Sequence, residues 1–213
     1  MVSPEAAFDI LTIHADLDET PYGVSHGEGH LLCYLACLLA LYRGIPAADW
    51  TYTFVRTGWG TPFSEHVAAA YAALLRSGNI MEIGAVYRLS SQGRVLQEQL
   101  RSQQQFGWRM PFLEAASSTA LALPVGLIRE ALHGEPNLRA ASAFDRTAAL
   151  LQEYTLHELY DQFAALSEAI GIEVSDLLVP STVWLSYLLE VERRRPNLEP
   201  TQPLTRSLAA AHA

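Results

Sequence analysis

Four residues of metal-ligand type fall on one helical face early in the chain. They are His26, His30, Cys33 and Cys37, spaced i, i+4, i+7 and i+11. Imidazole and thiolate are the usual ligands of zinc. One ion cannot collect all four, because a helix rises roughly 16 Å from 26 to 37 at about 1.5 Å per residue. His26 and His30 supply two ligands at most, with His14 or Asp16 added from the preceding segment. Neither a Cys-x-x-Cys nor a His-Glu-x-x-His pair occurs anywhere. Cys33 with a distant histidine would make a nucleophile pair. The surrounding LLCYLACLL, however, buries both thiols among apolar side chains, which raises a thiol pKa and quiets it. His157 and Asp161, four apart with Glu158 beside them, have the spacing of a helix-surface ion pair. Gly27-Glu28-Gly29 lacks the Gly-Lys-Ser/Thr ending and the preceding strand of a phosphate loop, and there is no Gly-x-Ser-x-Gly elbow. The expectation is a protein with no catalytic residues, no metal and no cofactor.

The aromatic residues offer a different chemistry. Trp50, Tyr52, Phe54, Trp59 and Phe63 crowd a short, turn-rich stretch around Gly58-Trp59-Gly60-Thr61-Pro62, and Trp108 has a similar setting in Trp108-Arg109-Met110-Pro111-Phe112. Such clusters either fill a core or form the energetic centre of a protein interface, where Trp, Tyr and Arg are enriched. The interface reading makes Trp50, Tyr52, Phe54, Trp59, Phe63 and Trp108 candidate contact residues. It requires Trp59 and Phe63 to be partly exposed.

Charge argues against nucleic acid as the main partner. The formal charge is −9, all 14 basic residues are Arg, and the chain contains no Lys. Residues 1–25 carry −5, residues 26–105 carry +1 and residues 106–213 carry −5. Phosphate binding needs clustered cations. The only cluster is Arg193-Arg194-Arg195, which falls in the last turn of a helix, where cations complement the dipole. The two cysteines sit on adjacent turns of one helix, outside disulfide geometry, as in a reducing compartment. The acidic N-terminus lacks the layout of a signal peptide. The longest apolar stretch, residues 30–42, is too short for a membrane span. The expectation is a cytoplasmic protein without a membrane contact.

The elements that must position these residues read as mainly α-helical. Residues 1–25 read as a lead-in that docks as a strand or short helix and breaks into a loop from Asp16. A central helix follows over about His26 to Arg43, ended by Gly44. Residues 45–56 are ambiguous, since Pro46-Ala47-Ala48-Asp49 favours a helix start and WTYTFV favours a strand. A helix from Ser64 to Ser77 has Val67, Tyr71, Leu74 and Leu75 on its inner stripe. Met81–Ile83 and Val86–Leu89 flank Gly84-Ala85 as a two-residue hairpin, and a further helix runs to about Gln103. From Phe106 the pattern is helical, kinked or restarted at Pro124, with a linker at Gly134-Glu135-Pro136-Asn137 and a disordered tail from 196 to 213. The organisation is thus a lead-in at 1–25, a winged-helix domain at 26–105 and a helical region at 106–195.

GTPFSEHVAAAYAALLRSGNI followed by VYRLSSQGRVLQEQL resembles small bacterial winged-helix families, through Gly60, Pro62, Phe63, Ser64, Leu74, Gly78, Ile80, Tyr87, Leu89 and Gly93. It is similar to the Panacea (SocA-like) antitoxin domain and to the middle components of ABC-three-component systems, which accompany SMC-like ATPases in Lamassu-type antiphage defence. Thr61 intervenes between Gly and Pro, and Ser90-Ser91 stands where Thr is usual. The match covers about 75 residues of the 213. The resemblance implies a non-enzymatic accessory subunit that binds a protein encoded nearby, an ATPase or an effector or toxin, or a second copy of itself. The YRLT-like ending also occurs in MarR-like and PadR-like regulators, which leaves a second reading as a DNA-binding transcriptional regulator. Arg76, Arg88 and Arg94 would then touch the DNA. The helix from Ser64 to Ser77 carries one Glu and one Arg and has no net charge, which favours the first reading.

Overall fold

Ser3 starts the first helix by accepting the Ala6 N–H at 3.1 Å, with Pro4 at its first position and Glu5 in its first turn. Extended backbone at the cap, a preset proline and an early acid are all favourable at a helix N-terminus. The structure, a computed structural model, describes residues 2–18, 23–142, 148–171 and 176–194. Helix α1, Pro4–Asp16, buries Phe8, Ile10, Leu11 and Ile13 completely. The segment read as a lead-in is therefore a core helix, and its apolar run FDILTI belongs to the inside of the molecule. The sequence 196–213, read as a disordered tail, lies outside the described residues.

Helix α2, His26–Tyr42, opens with a full capping box, in which Ser25 and Glu28 satisfy each other's backbone N–H groups. Every residue from Gly29 to Leu41 is buried, as a helix apolar all round requires. The positive φ of Gly44 (79°) follows its end. α1, α3 and α6 pack around α2, which is the axis of the structure.

The ambiguous stretch resolves into a 3-10 turn at Ala47–Trp50, a two-residue strand β1 at Val55–Arg56 and a second, β2, at Pro62–Phe63. β1 pairs antiparallel with β2 on one side and with β5, Ala148–Ala149, on the other. Helix α3, Glu65–Arg76, ends at Gly78 (φ 71°). β3, Ile80–Ile83, and β4, Val86–Leu89, form the expected hairpin with Ile83 opposite Val86 across Gly84-Ala85. Val24, between α1 and α2, adds an isolated bridge to Tyr87 of β4. Helix α4, Ser91–Arg101, is capped by Ser90, whose hydroxyl accepts the Gly93 N–H and donates toward the carbonyls of Gly78 and Asn79.

A short α5, Gln104–Gly107, leads into α6, Met110–Ala122, and α7, Val125–His133. These last two meet at 112° around Leu123-Pro124, the break expected of the proline. The stretch 134–137 is not a linker. Glu135 is fully buried, and its carboxylate accepts the N–H groups of Asn137 and Leu138 at 3.0 and 2.8 Å, capping α8, Pro136–Ser142. The Tyr34 hydroxyl donates to the same carboxylate at 3.0 Å, tying this corner to α2. Helices α9, Leu156–Ile170, and α10, Leu178–Arg194, complete the described chain. One hydrophobic cluster runs through all of it, from Phe8 to Leu188. No single helix among the described residues is long and apolar enough to cross a membrane.

The hairpin is clamped to α4 at Gly93, where an added Cβ would meet the Asn79 carbonyl oxygen at 1.9 Å. Gly93→Ala should therefore cost about 2 kcal/mol or more of unfolding free energy, as overpacking against backbone does. Gly27→Ala, in open space within α2, should leave stability unchanged or raise it by up to about 1 kcal/mol. Urea denaturation of the two variants checks the contrast.

Candidate functional site

The polar groups that could do chemistry are gathered into two buried clusters. In the first, Arg109 at the N-terminus of α6 sends its Nε to Asp9 Oδ1 at 2.8 Å and its Nη2 to Asp9 Oδ2, while Nη1 donates to the Trp50 carbonyl at 3.1 Å. The Tyr52 hydroxyl donates to Asp9 at 2.6 Å. The guanidinium lies 3.7 Å from the centre of the Trp50 ring and 5.1 Å from that of Trp108. Both charged side chains are fully buried. Burial opposes the Arg109 charge, and the facing Asp9 carboxylate more than offsets it, so the guanidinium stays charged. A charge pair with its fork of donors satisfied and aromatic walls is a structural unit; it has no open face for a substrate.

This cluster accounts for three aromatics read as contact residues. Trp50, Tyr52 and Phe54 are 1%, 4% and 1% exposed, so they cannot belong to an open interaction surface. The Tyr52 hydroxyl and the Trp50 carbonyl bond the Asp9–Arg109 pair, the Trp50 ring lies against the guanidinium, and Phe54 packs on Tyr34 and Tyr52. Trp108 is half-buried, edge-on to Trp50. The signal for this arrangement was a single acid inside the apolar run of α1 and a single Arg inside Trp-Arg-Met-Pro-Phe.

The second cluster lies where α1, α2 and α3 meet. His14 Nε2 and the Tyr71 hydroxyl are 3.0 Å apart. His26 lies over the Tyr71 ring at 4.8 Å and beside His30 at 4.7 Å. His30 Nδ1 accepts the backbone N–H of Ser64, the N-cap of α3, at 3.1 Å, while the Ser64 side chain makes no cap bond. Phe63 stacks on His30 at 4.6 Å and is half-buried. Burial lowers the pKa of His14 to about 4, that of His30 to about 3, and that of His26 below its usual value. Neutral imidazoles remain, knit to tyrosine and backbone. Cys33 and Cys37 are free and buried, and burial pushes both thiols far above their ordinary pKa, which removes the thiolate a nucleophile needs. Among the described residues, no three of His, Cys, Asp and Glu converge as a metal site would require.

Trp59 is the exception to this sealing. It is 90% exposed at the tip of the β1–β2 turn. The turn is held by the Thr57 N–H donating to the Thr61 carbonyl and the Gly60 N–H to the Thr57 carbonyl, both at 2.9 Å, and by the positive φ of Gly60 (79°). Of the six aromatic candidates, the structure thus leaves Trp59 fully open, Phe63 and Trp108 partly so, and closes the other three.

The three candidate DNA-contacting arginines are not gathered on one free face. Arg94 of α4 pairs with Asp18, and Arg88 of β4 is also engaged. Arg76 is exposed at the end of α3. His157 and Asp161 stand 3.6 Å apart on the outside of α9, as their spacing implied. Arg194 pairs with Glu190 within α10, and Arg195 lies outside the described residues. No protein-family model matches this chain, and no match emerges among curated proteins or solved structures.

The histidine cluster makes stability depend on pH with a definite sign. The folded pKa values of His14 and His30 lie below the unfolded value of 6.5, so the unfolded chain binds the extra protons. The stability they confer is complete above pH 6.5 and is lost as pH falls toward 4 and then 3. Asp16, whose carboxyl burial raises to about 6, acts in the opposite direction and returns part of that loss. Between pH 7 and pH 4.5, wild type should lose about 2 kcal/mol more than His30→Asn, which keeps an acceptor for Ser64 and cannot be protonated. Denaturant titrations of both proteins at the two pH values give the difference.

Proposed function

We propose that the chain is a non-enzymatic accessory subunit that binds another protein, and that the exposed Trp59 turn is part of its contact surface. The carrying observation is the contrast between a 90% exposed tryptophan on a hydrogen-bonded turn and the burial of His14, His30, Cys33 and Cys37. A backbone-fixed indole provides a large apolar contact with little conformational entropy to lose on binding.

The order of elements supports a winged-helix reading of the first half. α1, the Val24 bridge, α2, α3, the β3–β4 hairpin and α4 follow one another with Gly84-Ala85 at the wing tip. On this reading α1 belongs to the winged helix, which then begins near Pro4, and the β1–β2 turn with Trp59 is an insertion between its second and third helices. The helix in the recognition position, α3, has no net charge, and Arg94 is occupied by Asp18. Phosphate contacts need free cations, so protein is the better-supported partner. By its resemblance to antitoxin and three-component defence subunits, the partner is the SMC-like ATPase or effector of a defence or toxin–antitoxin operon.

The test is co-expression of tagged chain with its genomic neighbours. One neighbour should co-purify at fixed stoichiometry. Trp59→Ala should weaken that complex by about 2 kcal/mol, roughly thirtyfold in Kd, with the melting temperature of the isolated chain unchanged. Trp50→Ala should instead cost about 3–5 kcal/mol of folding. A chain that always purifies alone, or a complex indifferent to Trp59→Ala, contradicts the proposal.

A further inference from the structure

Trp59 lines a cavity of about 280 Å³ that is partly open to solvent. Its polar wall comes from four separate elements: Arg56 from β1, His133 from the last turn of α7, Arg139 from α8 and Glu192 from α10. Arg56 Nη2 and His133 Nε2 come within 3.5 and 3.7 Å of the point where a Cβ on Gly60 would stand. Both therefore reach the bare backbone of that residue, and a side chain there would fill the floor they share. Arg139 is already held by Glu158 at the surface.

Arg56 is the informative group. It is partly buried, and its guanidinium makes no hydrogen bond or ion pair among the described residues. A guanidinium drawn partly out of water with no carboxylate in pairing distance is unfavourable, and its planar fork of donors matches a carboxylate or phosphate. Arg139 is neutralised by Glu158, so Arg56 is the guanidinium of this wall that an incoming anion would meet.

We propose that this pocket binds a carboxylate carried by a peptide segment of the protein partner, with an adjoining aromatic or aliphatic side chain laid against the indole of Trp59. The inference rests on the partner-binding reading above and names the chemistry of the partner's contact. The cavity volume falls just below the range usual for free small-molecule and cofactor sites and suits one or two side chains. Its open side lets the rest of a chain continue into solvent. Arg56 supplies the fork for the carboxylate, and Glu192 disfavours a doubly charged phosphate.

The minimal probe is N-acetylphenylalanine, which joins one carboxylate to one ring. N-acetylphenylalaninamide is the uncharged control, and adenosine monophosphate tests a free phosphorylated ligand. Each is titrated to about 10 mM, the range in which millimolar ligands saturate, while the indole N–H of Trp59 is followed by 1H–15N NMR and assigned with Trp59→Phe. N-acetylphenylalanine should move the Trp59 signal saturably. The amide should fail to do so, and Arg56→Gln should weaken the response about tenfold or more with the remaining spectrum unchanged. Equal responses to acid and amide, no response to either, or a response that survives Arg56→Gln would overturn the proposal. Tighter binding of adenosine monophosphate would overturn it in favour of a small phosphorylated ligand. If the probes fail while Trp59→Ala still disrupts the co-purified complex, only the carboxylate chemistry falls and partner binding stands.

Discussion

The pairing of Asp9 with Arg109 is the interaction on which the arrangement of the chain depends. Burying two charges costs several kcal/mol each, and the cost is offset only where the donors and acceptors are filled. Here they are: both Asp9 oxygens, three guanidinium nitrogens, the Tyr52 hydroxyl and the Trp50 carbonyl form one closed set. The participants come from α1, from the α2–α3 connector and from the start of α6, segments separated by up to 100 positions. These bonds hold the connector between α1 and the start of α6. Phe8 stacked on Phe106 at 4.7 Å closes the apolar side of the same junction.

That junction divides the aromatic connector into two parts. Trp50 and Tyr52 face the ion pair, and Tyr34 and Phe54 meet edge-on at 5.1 Å. Past β1 the chain leaves the core, and Thr57 to Thr61 closes a turn that carries Trp59 outward. The chemistry available to the protein follows from this division. On the inner side, burial keeps the histidines and cysteines in their neutral forms. The outer side carries an exposed indole and the pocket that Arg56 lines.

Much of the first half was legible in the sequence because local rules and tertiary packing agree there. Gly78, Gly84-Ala85 and Ser90 sit at positions whose backbone conformation or capping bond they uniquely suit, so the hairpin and its flanking helices fall where pattern reading puts them. The break at Pro124 and the central helix from His26 were equally plain. α1 was only half legible: its apolar run suits a strand as well as a short helix, and burial on nearly every side masks its periodicity. The aromatic connector was half legible: composition marked it as special, but only the position of Arg109, far along the chain, decides which rings turn inward. Gly134-Glu135-Pro136-Asn137 has the composition of a linker, yet Glu135 is a buried cap. In each miss a single charged residue met a distant partner, and pairing over such separations leaves no local periodicity to read.

A double-mutant cycle across the central pair tests this account most directly. Asp9→Asn and Arg109→Leu are made singly and together, and unfolding free energies are measured in denaturant. Each single change should cost about 3–5 kcal/mol, because it strands a buried charge, and the double change should cost well under the sum, with a coupling of about 2 kcal/mol or more. Single costs below about 1 kcal/mol that add without coupling would mean that the pair does not hold the junction, and that the connector takes its course for another reason.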